Sequence, residues 1–114
     1  MPNLLKIASG LSLTATGAST AYRLAQTPLL GGEGREGKLT LDTAVGGSGV
    51  VAVQGHPSTS ATAPASGDAG WTTILTLTSA SSLFQEILDL PKWIRLNVTT
   101  AGTGTLTATL EGVQ

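Results

Sequence analysis

The 114-residue sequence contains no cysteine. That absence excludes disulfides, thiolate catalysis and cysteine-ligated zinc, and it is typical of a chain that folds in a reducing cytosol. Only 11% of the residues are charged, and the formal net charge is −1. With so few charges, the protein has only a weak electrostatic field, which does not concentrate phosphates or anionic lipid near its surface. We therefore expect neither nucleic acid nor a membrane as a partner.

Long apolar runs are missing as well. No stretch approaches the roughly 18–20 continuous apolar residues that span a bilayer. Gly10, Ser12 and Thr14 interrupt the region in which a signal peptide would have its apolar core, so we expect no targeting segment. The length predicts one domain over residues 1–114, with an N-terminal arm at residues 1–10. A domain of this size buries roughly two-thirds of its unfolded surface, enough for one core without a deep catalytic cleft.

Alternating apolar and threonine-rich positions are what the sequence does contain. Residues 71–79 (WTTILTLTS) and 93–113 (WIRLNVTTAGTGTLTATLEGV) alternate almost without interruption. A period of two predicts strands with one buried and one solvated face. The predicted buried positions are Leu39, Leu41, Ile74 or Leu75, Leu77, Ile94, Leu96, Val98, Leu106 and Leu110. The predicted solvated positions include Arg95, Asn97 and Thr99.

Shorter runs at residues 11–16, 21–25, 38–45 and 50–54 add further candidate strands. Residues 83–90 (LFQEILDL) fit both a short helix, from their apolar spacing, and a strand, from their final alternation. The β-rich surroundings favour the strand. Seven or eight short strands in a chain of this length predict an all-β fold, an antiparallel β-sandwich or jelly roll.

Glycine-rich and proline-rich segments mark the connections. Ala101–Gly104 predicts a tight hairpin between the last two strands, and Gly46–Gly49 predicts another hairpin turn. Residues 57–70 (PSTSATAPASGDAG) lack side chains that could pack a core, so they predict a mobile loop.

Catalytic and cofactor motifs are incomplete. Gly32–Gly37 matches the dinucleotide pattern GxGxxG but precedes an alternating strand where the pattern requires a helix. Ser48 lies among glycines, yet Val50 occupies the position at which GxSxG requires its last glycine. His56, the only histidine, lacks a motif partner and is predicted to be a solvated loop residue. We therefore predict no catalytic residue and no cofactor-binding residue.

Metal and sugar sites are not favoured either. Glu33, Glu36, Asp42 and Asp68 lack the spacing of a calcium-binding loop, so no metal site is predicted. Aromatic residues make up only 4% of the chain, too few to fill a core and also build a sugar-binding platform. Trp71 and Trp93 begin strands directly after loops. A large ring in that position is expected to close the core.

A set of motifs in the second half resembles one known class. The motifs are VAVQG (51–55), GWTTI (70–74), LPKWIRLNVT (90–99), GTGTLT (102–107) and LEGV (110–113). This succession, over residues 50–114, looks like small β-sandwich virion proteins of tailed bacteriophages. Such proteins include capsid decoration (cement) proteins and tail or neck components. The resemblance implies a non-enzymatic structural subunit that binds a capsid lattice and stabilises it.

The resemblance also implies partners and a location. The expected partner is the major capsid protein of the same virion, at the capsid surface, after assembly in the host cytoplasm. Low charge and threonine-rich strand edges add an expected homodimer or homotrimer. A tail, neck or baseplate component and a carbohydrate-binding module remain the alternatives.

Two apolar clusters fall outside the alternating pattern. Leu4, Leu5 and Ile7 precede the first well-patterned strand, and Leu29 and Leu30 lie in a loop rimmed by Arg35. Apolar side chains outside a core pattern are candidates for interface anchors. We therefore predict that the N-terminal arm or the loop at residues 27–37 contacts a neighbouring subunit or the capsid.

Overall fold

The computed structural model describes residues 4–24 and 36–113, in which nine β-strands and no α-helix occur. The strands are β1 (Leu4–Ser12), β2 (Gly17–Ala18), β3 (Tyr22–Arg23), β4 (Glu36–Leu41), β5 (Val50–His56), β6 (Thr72–Leu77), β7 (Phe84–Ile87), β8 (Trp93–Thr100) and β9 (Thr105–Val113). All pair antiparallel. The all-β prediction is confirmed, with nine strands where seven or eight were expected.

The strands form two sheets. The first has the order β1-β9-β4-β7, and the second has the order β2-β8-β5-β6 with β3 also paired to β8. Because β2 and β3 pair with successive stretches of β8, they act as one interrupted strand. The first strand then lies beside the last in one sheet, and the second beside the penultimate in the other. This is the strand order of a jelly roll.

The core lies between the two sheets and follows the predicted alternation. In β8, Ile94, Leu96 and Val98 are at most 2% exposed. The other predicted core residues are buried too: Leu39, Leu41, Leu77, Leu106 and Leu110. At the position left open between Ile74 and Leu75, Leu75 packs against the core and Ile74 is 37% exposed. Leu75 lies two residues from the buried Leu77 and therefore shares its face, whereas Ile74 is the extra residue of a bulge at which the register with β5 shifts.

Residues 84–87 form a strand, so the extended alternative for residues 83–90 is confirmed. Strand β7 pairs with β4 over four residues without a register shift, from Thr40 opposite Phe84 to Gly37 opposite Ile87. Cross-strand pairing therefore outweighs the helical spacing of this short apolar run.

Two connections differ from the expected hairpins. Strands β8 and β9 belong to different sheets, so Ala101–Gly104 carries the chain across the sandwich. Gly46–Gly49 likewise joins β4 of the first sheet to β5 of the second. Turn composition indicates that the chain reverses, but it does not specify whether the next strand pairs in the same sheet. The hairpin prediction is wrong at both places.

The predicted N-terminal arm is corrected over its described part. Residues 4–12 form β1, which pairs with β9 from Leu4 opposite Glu111 to Ser12 opposite Thr105. Ile7 is fully buried in the core. The strand escaped the sequence pattern because two register irregularities interrupt its alternation.

Candidate functional site

A cluster of polar and aromatic side chains covers the outer face of the second sheet. Antiparallel pairing places Gln54 opposite Arg95 and His56 opposite Trp93. These side chains project from the face opposite the core, because the alternate positions of the same strands are core residues: Val51 and Val53 in β5, Ile94 and Leu96 in β8. Arg95 and Trp93 are nonetheless only 5% exposed. The prediction that Arg95 faces solvent is wrong.

The covering loop, residues 57–70, explains this burial. The side-chain hydrogen bonds that its backbone carbonyls accept include those at Ser60 from Trp93 Nε1 (3.3 Å), at Ser66 from Arg95 Nη1 (3.0 Å) and at Ala65 from Trp71 Nε1 (2.9 Å). A loop without core-forming side chains is thus held to the sheet through its backbone. The sequence-based prediction of a mobile loop did not include these contacts, since they require partners distant in sequence.

Arg95 is the central group beneath the covering loop. Its Nε donates to Gln54 Oε1 at 2.9 Å, and its guanidinium carbon lies 4.1 Å from the centroid of the Trp71 ring. Burial lowers the pKa of Arg95 below its ordinary value. The guanidinium therefore combines a cation–π contact with charge-assisted hydrogen bonds in a partly desolvated site.

His56 is buried at the end of β5, which corrects its prediction as a solvated loop residue. Its Nδ1 accepts a hydrogen bond from the Ser58 backbone N–H at 3.0 Å, and its Nε2 lies 2.9 Å from Asp68 Oδ1. An accepting Nδ1 places the proton of a neutral ring on Nε2, which then donates to Asp68. The ring also meets Trp71 edge-on, with centroids 5.1 Å apart.

Asp68 completes this arrangement from the covering loop. The hydrogen bond from His56, and next the one from the Gly70 backbone N–H, hold the pKa of Asp68 below its ordinary value of 3.8. Both ring nitrogens of His56 are thus engaged in holding the loop. Because Ser58 and Asp68 both belong to the covering loop, these two hydrogen bonds attach the loop to the sheet.

The outer face of the first sheet presents a different surface. Lys38 lies between Glu111 of β9 and Glu86 of β7, and Thr40 lies between Thr109 and Phe84 in the next row. A hollow of about 560 Å³ opens on this face. Its lining residues are Lys38, Leu39, Thr40, Phe84, Gln85, Glu86 and Glu111.

Among the described residues, the two most exposed large apolar side chains lie on or beside β7. Phe84 is 73% exposed and Leu88, one residue beyond the strand, is 69% exposed. Single exposed apolar residues are ordinary, but two on one short segment beside a hollow form a candidate binding surface. We call Phe84, Leu88 and the hollow the β7 surface. The sequence contained a usable signal for this surface. In a strand, Phe84 and Ile87 lie on opposite faces, so a buried Ile87 implies an exposed Phe84.

The interface residues predicted from sequence are placed differently. Leu5 is half-buried and packs against the core, and Ile7 is a core residue, so Ile7 cannot anchor a partner. Leu4 lies at the start of β1. Leu29, Leu30 and Arg35 lie outside the described residues, and their role stays a prediction.

No metal-binding group is found in the part of the chain that the structure describes. Over residues 4–24 and 36–113, three or more His, Cys, Asp or Glu side chains nowhere come together in a way that could hold an ion. Asp42 is instead used structurally, since its Oδ1 accepts a hydrogen bond from the Thr107 backbone N–H at 2.9 Å. The same described residues contain no helix long and apolar enough to cross a membrane.

The fold and these surfaces define the class of the protein as an all-β, two-sheet antiparallel sandwich with jelly-roll strand order. No protein-family model matches the chain, and a search of curated proteins gives no significant match.

Proposed function

We propose that this protein is a non-enzymatic structural protein of a bacteriophage virion, a decoration (cement) protein that binds the head shell. Its partner is the major capsid protein, and its location is the capsid surface. The sequence motifs at residues 50–114 support the virion class. The surfaces of the sandwich support a role in binding other protein.

The observation that carries the proposal is the difference between the two outer faces. On the second sheet, the covering loop buries Arg95 and Trp93. On the first sheet, Lys38, Thr40 and Phe84 stay exposed, and within the described residues nothing comparable lies over them. One face is therefore occupied by the chain itself, and the other is open to a partner.

The dimensions suit a protein that lies flat on a shell. The described domain measures 35 × 32 × 20 Å. Two sheets packed about 10 Å apart, with side chains on each outer side, account for the short dimension. A broad face that binds the assembled shell but not free capsid subunits stabilises the shell by mass action.

The jelly-roll strand order fits both a capsid role and a sugar-binding role. Jelly rolls occur in viral capsid proteins and in lectins, so the strand order favours neither over the other.

The test is binding to purified heads that lack the protein. We expect the added chain to occupy many sites per head and to raise the temperature at which heads release DNA. Thr40→Arg, on the open face, should abolish uptake because a long charged side chain obstructs a flat contact. Thr76→Arg is the matched control, since Thr76 is also an exposed strand threonine, on the second sheet.

The outcomes separate the alternatives. Uptake only at a vertex or on tails would favour the tail, neck or baseplate alternative. Equal uptake of both arginine variants would contradict the assignment of the open face.

A carbohydrate-binding role is the second candidate, because an exposed aromatic ring beside a polar hollow is a platform on which sugars stack. Phe84 supplies the ring, and Lys38, Glu86 and Glu111 supply hydrogen-bonding groups around it. If the protein binds a glycan array and Phe84→Ala abolishes that binding, the carbohydrate-binding role would be favoured over capsid decoration.

A further inference from the structure

The sheet edges differ in how well they are protected against pairing with another strand. The register of β1 with β9 shifts twice, β6 carries one bulge, and β2 is only two residues long. Bulges and short strands are common devices that block edge association. Strand β7 pairs over four residues with no shift. It is thus the one edge of the described sheets that is both regular and longer than two residues.

The backbone of β7 is oriented to pair on its outer side. The Leu83 carbonyl accepts a hydrogen bond from Leu41 N at 2.8 Å, which fixes the odd-numbered residues as those bonded toward β4. The alternation of an antiparallel ladder then directs the N–H and C=O groups of Phe84 and Glu86 away from β4. Phe84 N donates a hydrogen bond to the Ser82 hydroxyl at 3.2 Å.

We infer that a second copy of this chain pairs with β7, antiparallel and across a two-fold axis, so that the first sheet continues from one subunit into the other. The inference concerns the isolated chain and goes beyond the virion role proposed above. Main-chain hydrogen bonds would supply the attachment, as in other cases of strand addition. Phe84 and Leu88, now exposed, would be covered at the junction.

The register follows from charge and from overlap. With Gln85 on the two-fold axis, Phe84 faces Glu86 of the second copy and all four β7 residues pair. With Glu86 on the axis, two carboxylates oppose each other directly, which is destabilising. With Phe84 on the axis, fewer β7 residues pair. The Gln85-centred register leaves Lys38 opposite Glu86 within each subunit, so no like charges meet across the junction.

Self-complementarity is what favours a second copy over another partner. The inner side of the same register sets Leu83 opposite Ile87 of the second copy, apolar against apolar, and these residues already adjoin the core. The outer side sets the Phe84 ring beside Glu86 of the second copy, and that carboxylate lies opposite Lys38 of its own subunit. One strand thus supplies both halves of a matched junction, as an isologous interface requires.

The first experiment uses the absence of cysteine from the chain. In this register the two Gln85 residues form a non-hydrogen-bonded pair, with Cα atoms about 4.5 Å apart, inside the range that a disulfide spans. Gln85→Cys should form a covalent dimer under mild oxidation. Thr76→Cys, exposed on β6 of the second sheet, is the control and should stay monomeric on a reducing-agent-free gel. Failure of Gln85→Cys to exceed that control, or stronger cross-linking of Phe84→Cys or Glu86→Cys, overturns the proposal.

The second experiment blocks the backbone. Glu86→Pro removes an N–H that points away from β4, so the intrachain ladder keeps its bonds while the junction loses two, one from each copy. We expect the wild type and Glu86→Ala to sediment as dimers and Glu86→Pro as a monomer, with unchanged far-UV circular dichroism. A monomeric wild type at every concentration, or a dimeric Glu86→Pro, overturns the proposal. If Glu86→Pro unfolds, the cysteine experiment decides alone. Because neither measurement involves heads, their failure leaves the decoration proposal standing.

Discussion

Replacement of Arg95 tests whether the covering loop is held by the contacts described above. Arg95→Ala removes two hydrogen bonds from a charged donor, worth about 1.5–3 kcal/mol each, and a cation–π contact worth about 0.5–2 kcal/mol. Relief of the desolvated charge offsets part of this loss. We therefore expect the free energy of unfolding to fall by about 2–4 kcal/mol, a large part of the stability of a small domain.

The assay is urea denaturation followed by far-UV circular dichroism, combined with digestion by a protease that cleaves after alanine. The covering loop contains four alanines and should become the first site cut in Arg95→Ala. Arg95→Lys is the control, since it keeps the charge but loses the planar fork, and it should show an intermediate effect. A double-mutant cycle with Gln54→Ala should give a coupling of about 1 kcal/mol or more. A stability loss below about 0.5 kcal/mol with unchanged digestion would refute the reasoning.

Three further changes probe other parts of the fold. Asp68 has a lowered pKa in the folded chain, so its contribution to stability is present above its ordinary pKa of 3.8 and is lost as the pH falls through the lowered pKa. Protease resistance of the covering loop should decline over that pH range. Asp68→Asn should show the reduced resistance at every pH, without this pH dependence. Leu96→Ala, at a fully buried position, should cost about 2–5 kcal/mol in thermal or urea unfolding, and a loss under about 0.5 kcal/mol would contradict its burial. Gly55→Ala would place a methyl group 2.6 Å from Pro91 Cβ and should cost about 1–3 kcal/mol, whereas Gly67→Ala, with nothing within 4 Å, should be close to neutral; equal melting temperatures for both would disprove the packing argument.

The core could be predicted from the sequence because a period of two leaves little choice of side. Ile94, Leu96 and Val98 lie on the same face of a strand, so they are buried or exposed together. A shift of one residue in register would expose all three. Leu39 and Leu41 follow the same rule in β4. Local alternation therefore determined which residues meet between the sheets, although not which strands are neighbours.

The outer surfaces could not be predicted in the same way. Arg95 alternates with core residues as a solvated residue would, and only the distant carbonyl of Ser66 reveals that a loop lies over it. His56 likewise depends on Asp68, twelve positions away, for its surroundings. The turn at Ala101–Gly104 has hairpin composition, yet it joins strands of different sheets. Each of these features depends on long-range pairing, about which local composition carries no information.

The placement of the two tryptophans decides what intrinsic fluorescence can report. Trp71 and Trp93, the only tryptophans in the chain, both donate their indole N–H to carbonyls of the covering loop, at Ala65 and Ser60. Neither ring belongs to the core between the sheets. Emission intensity and wavelength will therefore follow the attachment of one loop, while circular dichroism follows the sandwich. Transitions that differ between the two signals would indicate local release of residues 57–70, and they would not require a partly folded core.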